Sequence, residues 1–289
     1  MTAPSPRSPF LLPLILLLVA MASMQGGASL AKSLFPQAGA AGTAALRLTF
    51  SALILALVLR PWRLRLDRAG WRAVMLYGLS LGTMNLLFYL SLRTVPLGIA
   101  VALEFVGPLT LAVVTSRRAA DLLWVALAAA GLWALLPGLH GVSLDPLGAA
   151  CALGAGACWA LYVVFGRSAS LRGGVPTVAL AALVAAGAVL PVGLAQAGAA
   201  LFSPQLLPYA LGVALLSSAL PYGIEVWVLA RMPARVFGTL MSLEPAFAAL
   251  SGLLFLGERL TPLQWLGIAA VVAASAGVTA ALGQRARQG

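Results

Sequence analysis

Apolar runs bounded by charge, proline or glycine recur along the whole chain, and they predict helices at 10–31, 40–59, 72–92, 95–115, 121–138, 146–166, 176–197, 206–229, 235–256 and 262–282. Each run is close to the about 20 residues that carry a helix across a bilayer. Ten such spans occupy roughly 200 of the 289 positions and leave about eight for each of eleven loops and tails, so no extramembrane domain fits. The pattern predicts an all-α membrane protein of ten transmembrane helices. The first run admits a second reading. Arg7, the stretch from Phe10 to Val19 and Ala20-Met21-Ala22 also follow the order of a cleavable signal peptide. Apolar sequence continuing to Ala31, and the repeat described below, favour the helix.

Composition agrees: 62% of residues are hydrophobic, against 18 basic and 7 acidic ones, more apolar surface than a compact soluble fold can hide. The formal charge of +11 raises nucleic acid as a partner, but the basic residues form short clusters between apolar runs. They read instead as a topology signal. Fourteen of the eighteen fall in one alternating set of segments (Arg7; Arg60, Arg63, Arg65, Arg68 and Arg72; Arg117 and Arg118; Arg167 and Arg172; Arg231 and Arg235; Arg285 and Arg287). Three fall in the other (Lys32, Arg93 and Arg259), and Arg47 lies inside a span. Since basic flanks stay cytoplasmic, both termini, 1–9 and 283–289, are expected in the cytoplasm. Cys151 and Cys158 sit about 10 Å apart along one helix, too far for a disulfide. His140 is a lone loop histidine, and no acidic cluster or CxxC pair accompanies it, so neither a metal nor a cofactor is expected. An intramembrane enzyme would need a nucleophile–base pair or a metal set, and the chain is read as a non-enzyme.

The two halves resemble one another at an offset of 137, which aligns Pro96 with Pro233 and Pro108 with Pro245. An acid lies between the prolines in each half, Glu104 and Glu244, without aligning. The halves are 10–138 and 146–282. Five helices is an odd number, so the second half enters the membrane inverted, the construction of many secondary transporters.

Four ionisable residues fall inside spans: Arg47, Glu104, Glu225 and Glu244. An intramembrane charge costs at least about 2.5–3.5 kcal/mol, so such groups usually face a polar cavity and mark a pathway. Glu104 and Glu244 lie deep in their spans, whereas Glu225 is also placed to pair with Arg231 at the interface. Arg47 has two readings, a helix-joining ion pair and a substrate anchor. Lys32 is expected to snorkel to the outer surface. Gln25 beside Gly26-Gly27, Asn85 with Tyr89, and Trp159 with Tyr162 add polar and aromatic groups able to line a site. Gly26, Gly27, Gly82, Gly154 and Gly156 are expected at close helix contacts. Proline lacks the N–H that would bond four residues back, so Pro108 frees the carbonyl of Glu104, Pro245 that of Met241, Pro96 that of Leu92 and Pro221 that of Ser217. Free acceptors at this depth are tolerated only beside protein or cavity water. They point to a central polar cavity, against the simpler reading of packing kinks.

Four stretches carry a family resemblance: LLVAMASMQGGASLAKSLFP at 17–36, RTVPLGIAVALEFVGPL at 93–109, LGAGACWALYVVFGR at 153–167 and FGTLMSLEPAFAALSGLLFLGERLTPLQ at 237–264. The chain resembles the EamA-type drug/metabolite transporter superfamily, and within it the bacterial exporters of threonine and homoserine. That resemblance implies ten helices in two inverted five-helix EamA repeats, a multi-pass inner-membrane protein, and export of L-threonine, L-homoserine and related small amino acids driven by the proton motive force. Onto matching positions it carries Arg47, Glu104, Glu225 and Glu244. The Gly257-Glu258 turn reads as a helix-boundary motif. A zwitterion needs one group for its ammonium, expected to be Glu104 with Glu244, and one for its carboxylate, expected to be Arg47. Desolvation and a nearby arginine act in opposite senses on a buried acid, and one of these acids is expected to exchange protons with the solute. The expected partners are the amino acid, protons and lipid, with no nucleic acid, and the chain is expected to work as a monomer. The runner-up activity is efflux of other amino acids or drug-like metabolites.

Overall fold

Small residues decide how closely these helices approach. The computed structural model describes residues 11–114, 121–135, 145–229 and 231–285. His140, Arg7, Arg117, Arg118, Arg287, the tail 1–9 and residues 286–289 lie outside them. Among the described residues every element is helical: α1 (Leu11–Ser33), α2 (Phe35–Leu59), α3 (Arg68–Ser91), α4 (Leu97–Glu104), α5 (Val106–Val114), α6 (Asp121–Leu135), α7 (Pro146–Gly173), α8 (Pro176–Ala197), α9 (Leu206–Ala214), α10 (Leu220–Leu229), α11 (Ala234–Met241), α12 (Glu244–Leu256) and α13 (Pro262–Arg285). Three-residue or five-residue 3-10 turns follow α2 and α8, and a π-helical turn, Leu215–Ala219, joins α9 to α10. Among the described residues seven helical segments are long and apolar enough to cross a membrane, with shorter apolar helices at Leu97–Leu111, Leu123–Leu135 and Pro262–Gly277. Large apolar side chains such as Leu57, Val58, Leu254, Phe255 and Leu266 point outward. An apolar outer surface of this extent suits lipid and not water.

Several boundaries differ from the sequence pattern for local reasons. The second span begins at Phe35 instead of 40, because Pro36 occupies the first turn, where a missing N–H costs nothing. The helix then bends at Gly39 (φ 66°, ψ 171°), and Gln196 fills the bend by accepting the Ala41 N–H at 2.8 Å. The third span starts at Arg68, capped by Asp67, whose Oδ1 accepts from the Gly70 N–H at 2.7 Å. The sixth continues past Arg167 to Gly173 and ends where Gly174 takes φ 68°. Arginine does not stop a helix; a positive φ does. The last helix runs to Arg285, into the segment expected as a tail.

The centre is an alanine-rich core shared by α2, α3, α4, α8 and α12. α2 lies against α8, α3 against α7 and α8, α1 against α10 and α12, α4 against α12 and α7, and α6 against α13. Without a solvent-driven force between helices in lipid, such contacts rest on van der Waals fit, which small residues permit. The tightest is between α5 and α7. A methyl group on Gly107 would overlap the Gly156 carbonyl, and one on Gly156 would lie 2.5 Å from the Glu104 carbonyl oxygen. Gly27 and Gly82 make close contacts as well, whereas Gly26 meets only the Phe255 ring, at 4.0 Å.

Candidate functional site

Two interrupted helices build one side of a central cavity of about 240 Å³. α4 ends at Glu104, Phe105 is a turn, and α5 begins at Val106, so the break precedes Pro108. α11 ends at Met241, and α12 restarts at Glu244 with Pro245 in its first turn. Both acids therefore sit at helix breaks, Glu104 at the end of one half-helix and Glu244 at the start of another. Both are buried, and both line the cavity.

All nine side chains singled out in the sequence line this cavity: Gln25 from α1, Arg47 from α2, Asn85 and Tyr89 from α3, Glu104 from α4, Trp159 and Tyr162 from α7, Glu225 from α10 and Glu244 from α12. Sequence reasoning missed Ser217, Tyr222, Phe88 and three methionines, Met24, Met84 and Met241, on the same walls. Apart from the ionisable groups, the lining is aromatic and thioether-rich. Phe105 supports Trp159 edge-on at 4.9 Å between ring centroids, and Tyr77 backs Tyr162 at 4.9 Å.

Arg47 is held by neutral acceptors. Its Nε donates to Ser217 Oγ at 2.8 Å, Nη1 donates to Asn85 Oδ1, and Nη2 reaches the Ser217 carbonyl at 3.4 Å. The guanidinium carbon lies 5.6 Å from the Tyr89 ring centroid. No carboxylate among the described residues lies within ion-pair distance of it, so the helix-joining ion pair is not formed. The Ser217 carbonyl it reaches is the one that Pro221 leaves without its usual donor.

Other readings need correction. Glu225 does not pair with Arg231. Arg231 stacks on Trp227, 3.9 Å from the ring centroid, and donates to the Trp227 carbonyl, while Glu225 Oε1 is buried without a hydrogen-bond partner. Lys32 does not snorkel freely: Nζ binds Glu258 Oε1 at 2.6 Å and the Val95 carbonyl at 3.3 Å. Glu258 Oε2 accepts the Leu97 N–H at 2.7 Å, so the residue read as a helix boundary ties the ends of α1 and α12 to the start of α4. Pro96 is no interior break. It is the N-cap of α4, as Pro233 is of α11, both with φ −57°.

Residues 146–280 match the EamA-like transporter family. The threonine/homoserine exporter RhtA of Escherichia coli K12 is 56% identical over 94% of this chain and 93% of its own length, and that of Salmonella typhimurium LT2 is 55% identical over the same shares. The uncharacterized transporter YwfM of Bacillus subtilis is 28% identical over 76% of each chain. A protein of known crystal structure shares the fold at a TM-score of 0.56, with 19% identity, over 94% of this chain and 99% of its own. A multi-pass apolar helical architecture and sustained identity to exporters over nearly the whole length place the chain in the EamA-like transporter family.

Proposed function

We propose that this protein exports L-threonine, L-homoserine and related small amino acids from the cytoplasm across the inner membrane, by alternating access driven by the proton motive force. The observation that carries the reading is a cavity holding one guanidinium free of carboxylates opposite buried acids at helix breaks. A zwitterion presents the complementary pair: its carboxylate meets Arg47, its ammonium Glu104 and Glu244. Charge-assisted bonds of this kind are about twice as strong as neutral ones. The relatives named as threonine/homoserine exporters support the substrate class. Size supports it too, since about 240 Å³ is smaller than the about 300–1,000 Å³ of drug-sized pockets. That favours a small amino acid over a drug-like solute, despite the aromatic lining.

The packing supports ten transmembrane helices in two inverted repeats, 10–138 and 146–282. Exchanging the first five spans with the last five leaves α2/α8, α4/α12 and α6/α13 as pairs. It turns α3 against α7 into α9–α10 against α1, α3 against α8 into α9 against α2, and α4–α5 against α7 into α12 against α1. The C-caps of α4 and α11, Phe105 and Ser242, fall at the offset of 137 that relates the prolines. In the cycle, a cytoplasmic amino acid displaces a proton from one of the acids, the halves rock about the site, and reprotonation from outside resets the carrier. One proton entering against one neutral zwitterion moves one net charge, worth about 2.3 kcal/mol per 100 mV, enough for a gradient of more than about tenfold.

The test is uptake of radiolabelled threonine, homoserine and serine, and of a cationic dye, into inverted vesicles at controlled pH. Threonine and homoserine are expected to accumulate and to compete with one another, with accumulation abolished by a protonophore. Uptake indifferent to the protonophore rejects proton coupling, and preference for the dye rejects the substrate class.

A further inference from the structure

The carboxylate-binding reading of Arg47 requires more than a cation in the cavity. An arginine side chain is free to adopt many rotamers, and a bidentate partner needs its planar fork in one orientation. The structure spends three neutral contacts on that orientation. Each contact is itself fixed from behind. Ser217 Oγ donates its own proton to the Val213 carbonyl at 2.6 Å, which turns its lone pairs toward Arg47 Nε. Asn85 Nδ2 donates to the Leu81 carbonyl at 2.9 Å, which sets the amide with Oδ1 facing Arg47 Nη1. The Ser217 carbonyl lies in the π-helical turn ahead of Pro221, a local widening of the kind often found at functional sites. α1 presses on this turn at Gly27, where a methyl group would come within 2.9 Å of both the Ser217 nitrogen and Cβ. Three of the five guanidinium N–H groups are used in this way; the other two make no hydrogen bond of ordinary geometry among the described residues, and the Tyr89 hydroxyl, itself buried without such a bond, is their neighbour.

We propose that Ser217 and Asn85 are positioning residues for transport: together they hold the Arg47 fork with two N–H groups directed to the solute carboxylate, and the π turn at Leu215–Ala219, seated on Gly27, sets Ser217 in place. The acceptors are neutral for a reason. An aspartate or glutamate in either place would hold the guanidinium equally well but would neutralise the charge the solute has to meet. This inference rests on the proposal that Arg47 receives the carboxylate.

The experiment compares two ligands on the full-length protein in detergent or vesicles: threonine, and threoninol, which keeps the amine and the side-chain hydroxyl but has an alcohol in place of the carboxylate. Ser217→Ala and Asn85→Ala are each expected to weaken threonine binding about tenfold, the loss of one hydrogen bond to a charged group. Threoninol binding is expected to change by less than about twofold, which also reports that the variants are folded. Equal losses for both ligands, or none for threonine, overturn the positioning role. In the Arg47→Gln background, Ser217→Ala is expected to add no further loss for threonine, and an additive loss likewise overturns it. Arg47→Gln that binds threonine as the wild type does overturns the underlying carboxylate reading instead. Should threoninol be too weak a ligand for the wild type, the Arg47→Gln comparison decides alone.

Discussion

The molecule treats charge in two opposite ways at two places. At the joint of α1, α4 and α12, Lys32 and Glu258 lie 2.6 Å apart, and their remaining groups meet the Val95 carbonyl and the Leu97 N–H. In the central cavity, Arg47, Glu104, Glu225 and Glu244 line one space without forming an ion pair. A carboxylate or guanidinium taken out of water and left uncompensated is expensive, and such cost persists only where it serves something. The joint is satisfied and holds helices together; in the function proposed above, a solute and protons satisfy the cavity.

The sharpest way to break this contrast is to neutralise a cavity charge. Glu104→Gln is expected to reduce proton-driven threonine accumulation by roughly 30-fold or more, the cost of losing one partner of a buried charge contact. Its melting temperature in detergent should stay level or rise. Wild-type flux in this variant would remove Glu104 from the coupling step. The reverse pattern is expected at the joint. Lys32→Met should cost about 1–3 kcal/mol of stability, read as a lower melting temperature, because Glu258 keeps only the Leu97 N–H. Its threonine affinity should remain near that of the wild type. A variant that loses affinity but no stability would merge the two sites into one. The smallest effect is expected at Asp145, a half-buried charge at the start of α7 held by neutral donors: Thr94 Oγ1 at 2.9 Å and the N–H groups of Leu147 and Gly148. The Thr94 hydrogen bond, aided by the two N–H groups, holds its carboxyl below the usual aspartate range. A depressed folded value contributes stability above the ordinary range that is lost as pH falls through the folded one. Thermal unfolding of the wild type should therefore show a small acid-side loss that Asp145→Asn lacks.

Which of these charges was legible beforehand follows from how local its signal is. A carboxylate or guanidinium within an apolar run stands out whatever surrounds it, and so do the amides, tyrosines and tryptophan singled out beside them; all nine line the cavity. The proline argument located the Ser217 carbonyl but not its hydroxyl, because a serine in an alanine- and leucine-rich run reads as a small packing residue. Met24, Met84 and Met241 were invisible for the same reason. The Lys32–Glu258 pair joins positions 226 residues apart, and nothing in either neighbourhood announces the other. Proline alone does not say whether it starts a helix or interrupts one. Pro96 and Pro233 begin helices, each an N-cap with an extended ψ of 144° and 132°, while Pro221 follows a widened turn within a continuing span.

Behind Glu104 the backbones of Gly107 and Gly156 touch with no side chain between them. Such a bearing does not compress. The short rod from Leu97 to Glu104 is anchored at its far end through Glu258 and supported at its near end by this point. With its far end tied and its near end resting on bare backbone, the rod keeps the Glu104 carboxyl at one station on the cavity wall.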